Sequence, residues 1–79
     1  MKRLSQEEKV NALTNFLRNV STNEELFIFT MNKDRNAIFC IATKTDIGGI
    51  DTKTKFMTYE EMNAYFFGVL AVKNGTINF

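Results

Sequence analysis

Seventy-nine residues with ten basic and nine acidic side chains, no histidine and one cysteine leave room for a single domain and exclude several chemistries at once. A net charge of +1 gives no global field for holding polyanions, the missing imidazole removes the commonest general base and metal ligand near neutral pH, and Cys40 alone cannot close an internal disulfide. At 44% apolar and 24% charged, the chain can bury a core and lacks the composition of a disordered segment.

The opening Met1-Lys2-Arg3-Leu4 has the charge of a secretion signal, but Ser5-Gln6-Glu7-Glu8-Lys9 stands where the apolar stretch should follow. With a lone cysteine, a reducing cytoplasm is the economical compartment. The longest apolar run, Tyr65 to Val72, is interrupted by Gly68 and is too short to cross a bilayer.

The first element is announced by Ser5-Gln6-Glu7-Glu8, a capping box in which the serine hydroxyl accepts from the Glu8 amide and the glutamate reaches back to the cap amide. Val10, Leu13, Phe16, Leu17 and Val20 then form one stripe of a 3.6-residue helix, which should end around Val20, before Ser21-Thr22-Asn23. Leu26–Met31 and Ala37–Thr43 are rich in β-branched and aromatic residues and read as strands, joined as a hairpin through Asn32-Lys33-Asp34-Arg35-Asn36. Both are apolar at almost every position, which implies cover on more than one side. Beyond the Gly48-Gly49 break, Ile50–Phe56 alternates and predicts a third, more exposed strand with Asp51, Lys53 and Lys55 on its solvent side. Thr58-Tyr59-Glu60-Glu61 repeats the capping box, so a second helix should run from Tyr59 to Lys73-Asn74 and close on Gly75, leaving a tail, Thr76–Phe79, that could pair with the sheet. The fold class is α+β in the order α-β-β-β-α, with both helices on one sheet face.

Few residues offer chemistry. Cys40 lies between Phe39 and Ile41 in a strand, without a histidine to activate it, and reads as a small buried hydrophobe. The glutamate pairs 7/8, 24/25 and 60/61 sit at helix starts with no imidazole or second thiol beside them, and serve helix dipoles better than a metal or an acid/base pair. Thr45-Asp46-Ile47-Gly48-Gly49 lacks the spacing of a phosphate-binding loop and reads as a turn. The expectation is therefore no enzyme, no metal and no cofactor.

Two binding readings are left. Lys44, Lys53 and Lys55 cluster near strands carrying Phe27, Phe29 and Phe39, the ingredients of a single-stranded nucleic-acid platform, although inward-facing phenylalanines would be core. The second helix carries apolar residues nearly all round: Tyr59, Tyr65, Phe67 and Leu70 resemble interface anchors, and Ala64, Gly68 and Ala71 form a strip of small side chains. That strip is expected first to pack on the chain's own sheet or first helix, and otherwise to meet a second copy or a foreign protein. Nine asparagines, seven lysines and no proline or tryptophan suit an AT-rich genome such as that of a phage or mobile element. The favoured expectation is thus a cytoplasmic protein-interaction module, alone or as a homodimer, one concrete form being a phage-type inhibitor that occludes a host or defence protein. The alternative is single-stranded nucleic-acid binding.

Overall fold

Both capping boxes form as their spacing dictates, and they start the two helices of the fold. The computed structural model describes residues 3–72; in chain order it contains α1 (Gln6–Val20), β1 (Phe27–Lys33), β2 (Asn36–Lys44), β3 (Ile50–Thr52) and α2 (Tyr59–Ala71). Ser5 Oγ accepts from the Glu8 amide at 3.1 Å while Glu8 Oε1 accepts from the Ser5 amide at 2.9 Å. Thr58 and Glu61 repeat the exchange at 3.2 and 2.9 Å. Each box satisfies two of the amides that a helix start leaves without partners.

The three strands form an antiparallel sheet in sequence order, β1-β2-β3. Register sorts the side chains. Ile28 opposite Ile41, together with Phe39, faces the helices and joins Leu13, Leu17, Val20, Leu26, Met57, Met62 and Phe66 in one core. Phe27, Phe29 and Met31, opposite Ala42, Cys40 and Ile38, occupy the other face. Phe16 of α1 stacks on Phe66 of α2 with centroids 5.8 Å apart and rings 10° from parallel, which fastens the helices to each other as well as to the sheet. The lower corner is tied by Arg18, which donates to the carbonyl of Leu26 at 3.0 Å, and the upper one by Gln6, which donates to Thr30 Oγ1 at 2.8 Å.

Three expectations shift. The hairpin is tighter than a five-residue link: β1 and β2 pair as far as Lys33 and Asn36, and Asp34 (φ 51°) and Arg35 (φ 69°) make a two-residue turn with both central residues left-handed. The third strand is shorter than Ile50–Phe56. After Thr52 the chain bends, and Thr54 Oγ1 takes over as acceptor for the Ile41 amide at 3.1 Å, where a strand carbonyl would otherwise stand. Phe56 then lies against Phe29 on the face opposite the helices, centroids 6.1 Å apart. This supplies part of the second cover that the all-apolar strands demanded, and Cys40 and Ala42 beneath are fully buried. Lastly, α2 ends at Ala71 with Val72 as its cap; the Lys73-Asn74-Gly75 closure and the Thr76–Phe79 strand lie outside the described residues.

Glu61 carries a pH signature of its cap. The Thr58 backbone N–H, and after it the Thr58 side chain, hold the Glu61 carboxyl below the usual glutamate range. A depressed folded value makes the capping contribution fully present above the ordinary glutamate pKa and lost as pH falls through the lower folded value. Thr58→Ala should lower unfolding free energy at neutral pH by about 1 kcal/mol, whereas Glu61→Gln, which removes the titrating group, should flatten the stability profile on the acid side of pH 4 to 5, as urea titrations at stepped pH would show; a profile unchanged in Glu61→Gln would disconnect Glu61 from the acid-side loss. At the hairpin, Arg35 holds a conformation that costs an L-residue about 1 to 2 kcal/mol and glycine almost nothing. Arg35→Gly should therefore raise the urea midpoint, by the equivalent of about 1 kcal/mol.

Candidate functional site

The geometry of α2 decides where the remaining surface chemistry lies. Thr58 is held next to the central strand because Met57 and Phe39 exchange backbone hydrogen bonds at 2.7 and 2.8 Å. From that anchor Met62 and Phe66 point into the core and are fully buried, and Val69 follows on the same side. A helix with a 3.6-residue period must then turn the opposite residues outward. These are Ala64, Gly68 and Ala71, all exposed.

The expected packing of this strip on the chain's own sheet or first helix is not what the structure shows. Among the described residues, a Cβ added at Gly68 would meet no atom within 4 Å, so none of them gives the glycine a packing reason. The strip is bordered by large apolar side chains left in water: Phe67 is 59% exposed, Leu70 46% and Val72 63%. Between Glu61 and Val72 the helix carries no charged residue. A surface helix normally places charge where this one places Ala64, Phe67, Gly68, Leu70 and Ala71.

The four anchors named from sequence divide by environment. Tyr59 is half-buried, edge-on to Phe39 at 6.2 Å and covered by the Lys9 ammonium 5.5 Å from its ring centre. Tyr65 is also half-buried, packed edge-on to Phe66 at 5.5 Å, and burial pushes its phenol up. Both contribute to the core. Phe67 and Leu70 are the outward pair. Phe67 is held from one side by Phe16, rings 5.4 Å apart and 72° inclined, so its exposed edge is presented in a fixed position. Val72 belongs with them and was missed as an anchor; the sequence places it inside a helix running to Lys73-Asn74, whereas the structure makes it the cap residue just beyond Ala71.

The other candidate chemistries find different settings. Phe39 is core, whereas Phe27 and Phe29 lie on the opposite sheet face. Each of the three lysines has an acidic neighbour: Lys53 pairs with Asp51 at 2.8 Å, Lys44 shares a cleft of about 570 Å³ with Glu24, Glu25 and Phe27, and Lys55 acts on Glu61. Their charge is thus divided among local partners instead of forming a basic groove. The glycine loop uses its own amides, since Gly48 N–H donates to the Thr45 carbonyl at 3.1 Å and Gly49 N–H to Thr45 Oγ1 at 2.8 Å. No N–H of those two residues is turned toward a phosphate. Cys40 is fully buried, which pushes its thiol up and away from the reactive thiolate. A cleft of about 380 Å³ between Lys9, the hairpin end and the start of α2 mixes Lys33 with Asp34 and Glu60, with no excess of one charge. Among the described residues no three histidine, cysteine or carboxylate side chains gather as a metal site, and no helix is long and apolar enough to cross a membrane.

Comparison of the chain with protein-family models, curated proteins and solved structures gives no match. The outward face of α2 therefore has to be interpreted from its own physics. Because Gly68 costs about 1 kcal/mol in a helix interior and has open space around it, Gly68→Ala should stabilise the isolated chain by roughly that amount. Thermal unfolding by circular dichroism reads the change; a loss of stability would mean that the glycine is needed within the fold.

Proposed function

We propose that this protein is a non-enzymatic interaction module that engages another protein through the outward face of α2. The observation that carries the reading is the uncharged apolar face from Ala64 to Val72, exposed on a helix whose other side already completes the core. Burial of such a face is worth about 25 cal/mol per Å² of apolar surface, and Phe67 has the attributes of an anchor: large, aromatic and held in place by Phe16 before any partner arrives.

Occlusion of a partner needs a complementary surface and no reacting group, which suits a chain whose thiol is buried and whose Glu8 and Glu61 are engaged in helix caps. A small inhibitor of phage or mobile-element type, acting in the cytoplasm on a host or defence protein, is the concrete form of this reading. A homodimer formed through the same face is a second form of the reading. Affinity capture from the natural host, comparing the intact chain with Phe67→Asp and Leu70→Asp, tests it. Both variants should keep the circular dichroism spectrum and lose the captured protein; capture that survives both substitutions would remove α2 from the interface.

A further inference from the structure

We propose that the free edge of β1 pairs with the β1 edge of a second copy of this chain, in an antiparallel two-fold contact centred on Thr30 that joins the two sheets into one. Such a contact leaves the α2 face of each copy open to another protein. The register of the sheet shows which backbone groups are unpaired. β2 turns the N–H and C=O of Phe39 toward Met57, and those of Ile41 toward Thr54 and Lys53. Opposed residues of antiparallel strands alternate between pairs that exchange both bonds and pairs that exchange none. Thr30 and Ile28, which stand opposite Phe39 and Ile41, and with them Asn32, therefore turn their N–H and C=O groups away from β2. Among the described residues no group pairs with them there.

The unpaired stretch is bounded at both ends and unguarded between them. On one side it stops at Leu26, whose amide donates to the Asn23 carbonyl at 3.2 Å and whose carbonyl accepts from Arg18 at 3.0 Å. On the other it stops at Asn32, beyond which the pair Lys33 and Asn36 closes the hairpin. Edge strands that stay single usually carry a proline, a bulge or a charge in mid-strand. β1 pairs without interruption over Phe27–Lys33, contains no proline, and meets its first charge at Lys33. The Thr30 hydroxyl is already satisfied, accepting from Gln6 at 2.8 Å and donating to the Ile38 carbonyl at 3.1 Å, so pairing of the backbone at the axis leaves it undisturbed.

Side chains and charge select a second copy as the added strand. With Thr30 on the axis, Ile28 of each copy stands opposite Asn32 of the other, and every free N–H of the stretch meets a free C=O. On the face opposite the helices, Phe29 then stands across from the partner's Met31, which is 44% exposed and free to make a thioether–aromatic contact. Phe27 stands across from the partner's Lys33, ring beneath ammonium. The two ends of the strand are opposite in charge: Glu24 and Glu25 precede it, while Lys33 and Arg35 outweigh Asp34 at its far end, and all five are exposed. Among the described residues the one ion pair is Lys53 with Asp51, so these charges have no ion pair of their own. Antiparallel pairing brings the acidic end of each copy to the basic end of the other, whereas a parallel pair would set like against like.

Light scattering after size exclusion, run on the full chain from low to high micromolar concentration, should give twice 9.1 kDa, falling toward the monomer on dilution. Asn32→Pro removes an edge N–H and no bond to β2, so the circular dichroism spectrum should persist while dimerisation weakens about 30-fold. Glu25→Arg and Arg35→Glu should each weaken it roughly 10-fold, and the double exchange in one chain should restore it, which decides the matter even where Asn32→Pro fails to fold. In hydrogen exchange the amides of Ile28, Thr30 and Asn32 should slow as concentration rises, and those of Phe29 and Met31, already bonded to β2, should slow far less. A monomer at every concentration, or a dimer indifferent to Asn32→Pro and to the charge exchanges, would overturn the pairing. So would a dimer abolished by Phe67→Asp, which would put the contact on α2.

Discussion

Two short backbone hydrogen bonds between Phe39 and Met57 govern most of what this molecule presents to its surroundings. They fix the end of the β3 to α2 segment against the central strand, one residue ahead of the Thr58 cap, so the starting point and the rotation of α2 are set together. Rotation decides which residues are spent on the core. Once Met62 and Phe66 are turned inward against Leu13, Leu17 and Phe39, the period of the helix leaves Ala64, Gly68 and Ala71 no alternative to the outside. The apolar outer face is thus a consequence of how the core is closed.

Legibility from sequence followed the range of the interactions. Capping boxes are local, with every partner within three residues, and both were readable before any tertiary structure was known. The stripe Val10, Leu13, Phe16, Leu17, Val20 was equally plain, because its period is a property of one helix. The third strand misled for a non-local reason: Ile50–Phe56 alternates convincingly, but the Ile41 amide donates to a side-chain partner, Thr54 Oγ1, which lets the chain leave the sheet early and carry Phe56 over to Phe29. The turn was misjudged in length because Arg35 is a poor residue for a left-handed position and nothing in its chemistry announces one.

The site was legible in its residue types and not in its orientation. Around α2, apolar residues occupy almost every direction, so periodicity cannot say which arc is core. Tyr59 and Tyr65 looked as much like anchors as Phe67 and Leu70, and only the contacts with Phe39 and Phe66 separate the two pairs. The same contacts explain why the lysines proved uninformative as a group: their acidic neighbours come from β3, from the loop before β1 and from α2, three places that the sequence does not bring together.

All strand pairings join sequence neighbours, whereas the core itself draws α1 and α2 from opposite ends of the described chain. This division has a bearing on synthesis. The meander can assemble from local contacts while the chain is still emerging from the ribosome, but Leu13, Leu17 and Phe39 stay without Phe66 until α2 has cleared the exit tunnel. The nascent molecule is therefore a sheet whose apolar face is covered by α1 alone, and its cooperative folding waits for α2 to arrive.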